Sequence, residues 1–512
     1  MARVSKKYAP PGRMKPEPPP EAIEEAPPIA EPAPAHEVDT PTNGHHPPAA
    51  LAMPESAEMR RAIADNVWLH FTQMGEFAEG GRLERPTVIV RGQGSHIWDA
   101  DGNEYIDGLA GLFCVNVGYG RREIVQAMVA QLEQIRFVSP FSFPNVPGTV
   151  LAERLAKMSP TGEGSRTFFV TGGSEAVETA LKVAKAYQRN RGFAGRYKTI
   201  SRRYAYHGTT MGALSVTGLP SARNPYEPLV PGARHVPIPH PYRCSWCDHA
   251  DGCTWACADE VERTIEAEGP ESVAAIIMEP VQNSGGCIVP PDGYYQRIRD
   301  LCDQYGILLI MDEVICGFGR TGKMFGTELF NIQPDIITVA KGLTSAYAPL
   351  GAAIVRREVA DVFAGDDKAK FQHGITFGGS PVAAAAALAN LDIIERERLP
   401  ERAHEMGEYL KSMLSSAIGQ HPNVGEIRGR GLFVGIELVR DRDSRATLDD
   451  KTLLGWVSDS MKAKGLICRA DDRLDSVIQL APPLSIDRSD LDRICRILTD
   501  TLDEMRGKIT EN

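Results

Sequence analysis

Val273-Ala-Ala-Ile-Ile-Met278-Glu279, Ile307-Leu-Leu-Ile-Met311-Asp312 and Ile336-Ile-Thr-Val-Ala340-Lys341 share one design, an apolar run closed by a charged side chain. A fourth run, Thr167-Phe-Phe-Val170, ends in Thr171-Gly-Gly-Ser-Glu175. Short continuous apolar runs read as strands buried on both faces. Helical spacing fills the intervals, at Glu175–Tyr187, Glu260–Glu268 and Tyr294–Tyr305. This alternation predicts βα units around a mainly parallel sheet, an α/β fold.

Ligands of parallel α/β sheets bind beyond the carboxyl ends of the strands. Glu279, Asp312 and Lys341 are all placed there. One such charge is a surface residue ending a strand; three together point to a site. The glycines of Thr171-Gly-Gly-Ser-Glu175 let backbone amides approach an anion, and the helix start that follows favours negative charge. In that helix Ala176, Val177, Ala180, Leu181 and Ala184 fall on one face. The competing reading makes Ser174 a plain N-cap.

These parts meet the needs of one cofactor, pyridoxal 5'-phosphate. It needs an amine for a Schiff base, a carboxylate against the pyridine nitrogen and a phosphate cup. Lys341, Asp312 and Gly173-Ser174 would supply them in that order. Lys341 would also carry a proton between the substrate Cα and the cofactor, a task suited to a desolvated, neutral amine.

Asp312-Glu-Val-Ile-Cys-Gly-Phe-Gly-Arg-Thr-Gly322, Pro334-Asp-Ile336 and Ala340-Lys-Gly342 together resemble the signature of class III aminotransferases. Thr171-Gly-Gly-Ser-Glu175, Tyr206-His-Gly208 and Thr376-Phe-Gly-Gly379 look like further motifs of that family, in its order, and the likeness runs from about residue 65 to the C-terminus. The resemblance implies the fold type I of pyridoxal-phosphate-dependent transferases and a homodimer, or a higher oligomer, with shared active sites. It implies stacking of Tyr206 and Val314 on the two faces of the pyridine ring and pairing of Asp312 with its nitrogen. Gly173, Ser174 and, from the partner subunit, Thr376 would bind phosphate, and His207 and Glu279 would complete the cofactor site. The reaction implied is transfer from an amine or ω-amino acid to a 2-oxo acid such as pyruvate, by a ping-pong mechanism. The same fold also serves decarboxylases, mutases and phospho-lyases, and a non-catalytic pyridoxal-phosphate-binding protein is a further alternative.

Ile315-Cys-Gly-Phe-Gly-Arg320 and Asp107-Gly-Leu-Ala-Gly-Leu-Phe-Cys-Val-Asn-Val-Gly-Tyr119 look more like ω-amine:pyruvate, taurine- or β-alanine-type members than like 4-aminobutyrate or ornithine enzymes. That group often carries Trp where Phe113 stands, which makes Phe113 a determinant of pocket size. Val424-Gly-Glu-Ile-Arg428-Gly-Arg-Gly-Leu432 resembles the segment bearing the family's substrate-carboxylate arginine, placed at Arg428. In related enzymes this arginine pairs with a glutamate at the place of Glu279; a purely structural ion pair is the other reading. Taurine, β-alanine, putrescine and aromatic amines all remain open as donors.

Cys244, Cys247, Cys253 and Cys257, with His240 and His249 nearby, raise the question of a zinc or iron–sulfur site. The gaps are less regular than in paired zinc knuckles, and the segment resembles a cysteine-bearing insertion of taurine- and β-alanine-type members. The expectation is therefore a reduced loop without metal.

The remaining sequence sets the frame. Residues 1–55 are rich in proline and poor in large apolar side chains, so a disordered tail is expected there. The expected division beyond it is an N-terminal segment 56–110 belonging to a small domain, a large cofactor-binding domain 111–375 and a smaller α+β domain 376–512. A net charge of -11 argues against nucleic acid as a partner. No run is apolar and long enough to span a membrane. The N-terminal charges lead into no apolar core of a secretory signal. Ten cysteines in 512 residues do not make a disulfide scaffold, so a cytoplasmic protein with reduced thiols is expected.

Overall fold

The computed structural model describes residues 56–511, except 79, 82, 245, 248–252 and 472. The expected disordered tail and His249 lie outside the described residues. Two compact units divide the chain, Met1–Met59 and Arg60–Asn512. Apart from the start of the helix Ser56–Asn66, all of the features below belong to the second.

Its first sheet starts with a meander, β1 (Ile89–Gln93), β2 (His96–Asp99) and β3 (Glu104–Asp107). The turn at Asp99–Asn103 is built by Asp99, whose carboxylate accepts from the Asp101 and Asn103 amides (3.0 and 2.8 Å) and from the Tyr105 hydroxyl (2.7 Å).

The large sheet holds β4 (Arg166–Val170), β5 (Lys198–Arg202), β6 (Ala233–Val236), β7 (Val273–Met278), β8 (Leu308–Asp312), β9 (Ile336–Val339) and β10 (Gly351–Val355). Their order is β4-β10-β9-β8-β7-β5-β6. Strands β6, β5, β7, β8 and β9 run parallel, while β10 is antiparallel to both β9 and β4. Every residue of β7, β8 and β9 is buried, as the unbroken apolar runs require. Burying each large aliphatic side chain contributes about 1.5–3 kcal/mol, so these strands are fixed by burial far more than by β propensity. The helix Gly173–Asn190 turns Ala176, Val177, Ala180, Leu181 and Ala184 inward, the face read from the sequence.

Three large-sheet strands, β5, β6 and β10, escape an apolar-run reading. In β5, Ser201 and Arg202 are fully buried but paired: Ser201 Oγ donates to the Val216 carbonyl (2.6 Å) and Arg202 Nη1 to the Tyr295 hydroxyl (3.1 Å). Strand β10, Gly-Ala-Ala-Ile-Val, is mostly small residues, with Gly351 packed where a Cβ would meet the Gly172 carbonyl oxygen at 2.7 Å.

The C-terminal part builds another sheet from β11 (Val424–Arg430), β12 (Phe433–Asp441), a short β13 (Ala446–Thr447), β15 (Arg469–Asp471) and β16 (Val477–Leu480), with β14 (Leu466–Ile467) between β13 and β15 in the chain. Strand β14 pairs in parallel with β3, so the meander near the N-terminus is continued by the C-terminal region. The first described helix covers Ser56–Asn66. Its last side chain, Asn66, folds back on the Ala62 carbonyl (3.1 Å), a local bond that competes with continuation of the helix.

Candidate active site

The carboxyl ends of β7, β8 and β9 deliver the three charges side by side, because Met278 pairs with Met311 and Asp312 with Thr338 in adjacent parallel strands. A cavity of about 160 Å³ opens there, lined by Glu279, Asp312, Val314, Ile315 and Lys341 on the strand side. Gly173, Ser174, Tyr206, His207, Gly208 and Leu112 close it. The structure thus brings together every site residue expected from the sequence except Phe113, Thr376, Arg428 and the four cysteines.

Asp312 is held on both oxygens. Oδ2 faces His207 Nδ1 at 2.7 Å, and Oδ1 accepts from Thr338 Oγ1 (3.0 Å) and the Val314 amide (3.2 Å). Glu279 is also tethered, accepting from the Tyr206 amide at Oε1 (3.2 Å) and from the Asn283 amide at Oε2 (3.0 Å). Burial raises the Glu279 carboxyl above the ordinary glutamate range. Lys341 sits in the left-handed region, φ 43°, in the first turn after β9. Burial lowers its ammonium below the ordinary lysine range, opposed by Cys114, Asp312 and Glu279 and reinforced by Arg469. A lysine with a depressed pKa is a stronger candidate for nucleophile and base at neutral pH.

The glycine turn opens the cavity to an anion. Gly172 is the N-cap of the helix Gly173–Asn190 and supplies no side-chain cap, so Ser174 is not the cap that the competing reading proposed. Glu175 instead turns back, accepting from the Thr171 amide (2.8 Å) and hydroxyl (2.6 Å). Ser174 Oγ accepts from the Thr209 amide (3.2 Å). Gly208 has φ 118°, and a Cβ there would lie 2.3 Å from Ser174 Oγ. The contact demands glycine on two grounds, space and backbone.

Phe113 lies behind the cavity wall, buried, with its ring edge-on to Phe433 at 5.8 Å and Lys341 Nζ 5.5 Å from its centre. Its neighbour Leu112 is the lining residue. Thr376 is exposed and does not line the cavity within one chain.

Arg428 stands on β11, outside the lining. Its Nε and Nη2 donate to the Gly286 and Gly285 carbonyls (2.6 and 2.7 Å), and its Nη1 reaches Glu426 (2.8 Å) and Glu437. Its carboxylate partners are these two rather than Glu279, because β12 sets Glu437 beside it while Glu279 is engaged by backbone amides. Sequence reading missed Arg469 on β15, whose charge acts on both Lys341 and Tyr206. The signal available was an arginine closing the run Leu466-Ile-Cys468.

The cysteines form a close group, the Cys247 thiol bonding with those of Cys244 and Cys253, and all three acting on Cys257. The Trp246 amide donates to Cys244 Sγ and the Trp255 amide to Cys253 Sγ, each at 3.4 Å, while Cys247 Sγ meets Thr254 Oγ1 at 3.1 Å. Cys257 is buried in the first turn of the helix Ala256–Glu268. Among the described residues the side chains with ligand atoms gathered within 4.8 Å are instead His240, Glu437 and Asp475. Two guanidiniums already neutralise that group, Arg243 on Glu437 and Asp475 and Arg428 on Glu437.

Comparison with known proteins extends the geometry. The family model described as "Aminotransferase class-III" matches residues 79–502. A probable aminotransferase of Mycobacterium tuberculosis is 46% identical, over 90% of this chain and 98% of its own length. A taurine–pyruvate aminotransferase of Bilophila wadsworthia is 38% identical, over 86% of this chain and 96% of its own. The crystal structure of a thermostable (S)-enantioselective ω-transaminase from Thermomicrobium roseum is 41% identical and superposes with a TM-score of 0.82, covering 88% of this chain and 99% of that one.

Proposed function

Because this chain belongs to the class III aminotransferase family and is an aminotransferase, we propose that it moves the amino group of an amine or ω-amino acid to pyruvate by a ping-pong reaction on pyridoxal phosphate held at Lys341. Enzymes of this family use that cofactor. The observation that carries the reading is the convergence of Lys341, Asp312 and the Gly173-Ser174 turn on one cavity. The residues fit the group. Asp312 presents a buried carboxylate suited to a pyridinium nitrogen, the uncapped helix start suits a phosphate, and Gly208 leaves room beside Ser174 that any Cβ would fill. Tyr206 and Val314 line the cavity in places suited to the two faces of a flat ring.

The cofactor, when bound, supplies the electron sink that makes a substrate Cα–H acidic. The chain does the rest. Lys341 Nζ, whose ammonium form burial disfavours, would take the proton from the substrate Cα. Asp312, oriented by His207, Thr338 and Val314, would face the ring nitrogen and favour its protonated form. Pyruvate as acceptor is favoured by the taurine–pyruvate relative.

A homodimer with shared sites is part of the proposal. Phe141, Phe143, Val146 and Phe377 expose 67, 63, 77 and 62% of their surface on a single chain, an apolar cluster of the kind subunit contacts bury. Thr376 would then meet the partner's cavity as a phosphate ligand. A cytoplasmic location is proposed from the free state of all ten cysteines. No helix among the described residues is long and apolar enough to cross a membrane.

The test is a half-reaction. Purified enzyme mixed with donor alone should lose the visible absorbance of its bound cofactor in proportion to active sites and yield pyridoxamine phosphate. Pyruvate should then restore it. Consumption of the donor with release of CO2 or phosphate and no pyridoxamine form would overturn the reading, as would unchanged turnover in Lys341→Ala.

A further inference from the structure

The chain leaving β5 carries Tyr206, His207 and Gly208 to the cavity, and Thr217 and Gly218 lie beside it. Backbone bonds tie the two segments first. The Tyr204 amide donates to the Gly218 carbonyl (3.0 Å) and the Gly218 amide to the Ala205 carbonyl (2.8 Å). A Cβ on Gly218 would lie 2.2 Å from the Arg202 carbonyl oxygen, so only glycine lets the segments come this close. Beyond Ala205 a side chain takes over. The His207 amide donates to Thr217 Oγ1 (2.9 Å), and the same hydroxyl donates to the Gly208 carbonyl (3.0 Å). A hydroxyl can do both at once, because it has one proton to give and lone pairs to receive.

Thr217 is completely buried, follows the helix Met211–Val216 as its C-cap and stands outside the cavity lining. The two residues that it grips serve different parts of the site. His207 Nδ1 meets Asp312 Oδ2 at 2.7 Å. Gly208 is packed on Ser174, where a Cβ would lie 2.3 Å from Oγ, and the Thr209 amide donates to that Oγ at 3.2 Å. One hydroxyl behind the cavity thus holds both the partner of Asp312 and the seat of the anion turn. Without it a buried amide and a buried carbonyl lose their partner, and the loop must shift to satisfy them.

We propose that Thr217 is a positioning residue of the cofactor site, setting through its hydroxyl both the His207 imidazole on Asp312 and the Gly208 seat of Ser174. Valine has nearly the same shape but no hydroxyl, so it cannot take this role. Serine keeps the hydroxyl and can. The proposal rests on the reading of the cavity as a pyridoxal phosphate site; the bonds of Thr217 do not.

The experiment uses the full chain as wild type, Thr217→Val and Thr217→Ser. Each is stripped of cofactor and titrated with pyridoxal phosphate and, separately, with pyridoxal, which lacks the phosphate. Binding is read from visible absorbance, and the visible circular dichroism of the bound ligand reports its orientation. In Thr217→Val the affinity for pyridoxal phosphate should fall about 10-fold or more, the effect of stranding a buried polar group. The affinity for pyridoxal should fall less, because only the phosphate uses the Ser174 seat, and the dichroic band should change. Thr217→Ser should return all three to near the wild-type values. Equal weakening in Thr217→Val and Thr217→Ser would overturn the proposal, since side-chain volume rather than the hydroxyl would then matter. Wild-type affinity and an unchanged band in Thr217→Val would overturn it as well, and equal losses for the two ligands would overturn the link to Ser174. If Thr217→Val does not fold, Thr217→Cys, whose thiol is a weak donor and a weak acceptor, is judged by the same criteria. A wild type that binds no pyridoxal phosphate would defeat the cofactor reading and this proposal together. A wild type that binds it beside an unaffected Thr217→Val would defeat this proposal alone.

Discussion

His207 Nδ1 lies 2.7 Å from Asp312 Oδ2, with the imidazole fully enclosed and the carboxylate 4% exposed. The pair explains why a strand-ending aspartate can serve as a fixed counter-charge. Asp312 has its other oxygen bonded to Thr338 and Val314, so it cannot rotate away from the cavity. Asp312→Asn keeps the shape but removes the charge. It should lower kcat by at least about 100-fold, because loss of a pre-oriented charge at a reacting centre is costly. His207→Asn removes only the orienting partner and should lower kcat by roughly 10-fold, the worth of one charge-assisted hydrogen bond. Steady-state kinetics with one amine donor distinguishes the two; equal losses would mean that His207 does more than orient.

The depressed pKa of Lys341 makes a pH prediction with a definite sign. Its neutral amine is the base, so the rate of the donor half-reaction should rise with pH and level off once Lys341 has lost its proton, below the usual lysine range. Arg469 is among the groups that depress it. Arg469→Ala removes that repulsion, stabilises the ammonium and should move the inflection to higher pH. Stopped-flow decay of the cofactor band with a donor lacking a carboxylate measures the shift. Movement to lower pH would contradict the charge assignment.

The cysteine segment gives a third outcome. Bonds from Thr254 at its side chain and backbone hold the Cys247 thiol down at about 7, whereas burial pushes Cys257 up to about 12. At pH 7.5 iodoacetamide should therefore label Cys247 first and leave Cys257 unmodified in the folded enzyme. Peptide mass mapping over time gives the order. Protection of both thiols until a chelator is added would point to a bound metal instead of a reduced loop.

How much of this was legible in the sequence depended on whether chemistry coincided with burial. Glu279, Asp312 and Lys341 stood out because each closes an apolar run, and the parallel register of β7, β8 and β9 then brings them together. Gly173 and Ser174 stood out because a glycine pair precedes a helical face. Strand β5 was hidden because its buried Ser201 and Arg202 are satisfied by partners distant in sequence, Val216 and Tyr295. Arg428 was visible as an arginine, but the partners it meets in the fold were not. The partners that occupy it come from β12 and from the Gly285-Gly286 turn, and neither proximity is written in local spacing. Arg469 was missed for the converse reason. It follows a short run that pairs with β3, and itself begins a separate strand that pairs with β16.

The turn that carries Lys341 is itself held by one side chain, and this allows a test of stability apart from chemistry. Asn390, in the helix Pro381–Arg396, is fully buried and donates through Nδ2 to the carbonyls of Gly342 (2.8 Å) and Leu343 (3.0 Å). These are the two residues that follow Lys341, whose own φ of 43° is one that L residues resist. Asn390→Ala strands two buried acceptors at a cost of about 1–3 kcal/mol. Leu414→Ala, in the helix Leu399–Ile418, deletes a fully buried side chain at a cost of about 2–5 kcal/mol and touches none of the groups that hold the site. Urea unfolding of the two holoenzyme variants should show Leu414→Ala destabilised at least as much as Asn390→Ala. The order of their activities at low denaturant should be reversed, because only Asn390→Ala frees the backbone that aims the lysine. If kcat follows the loss of stability in both variants, the Asn390 bonds serve the fold alone.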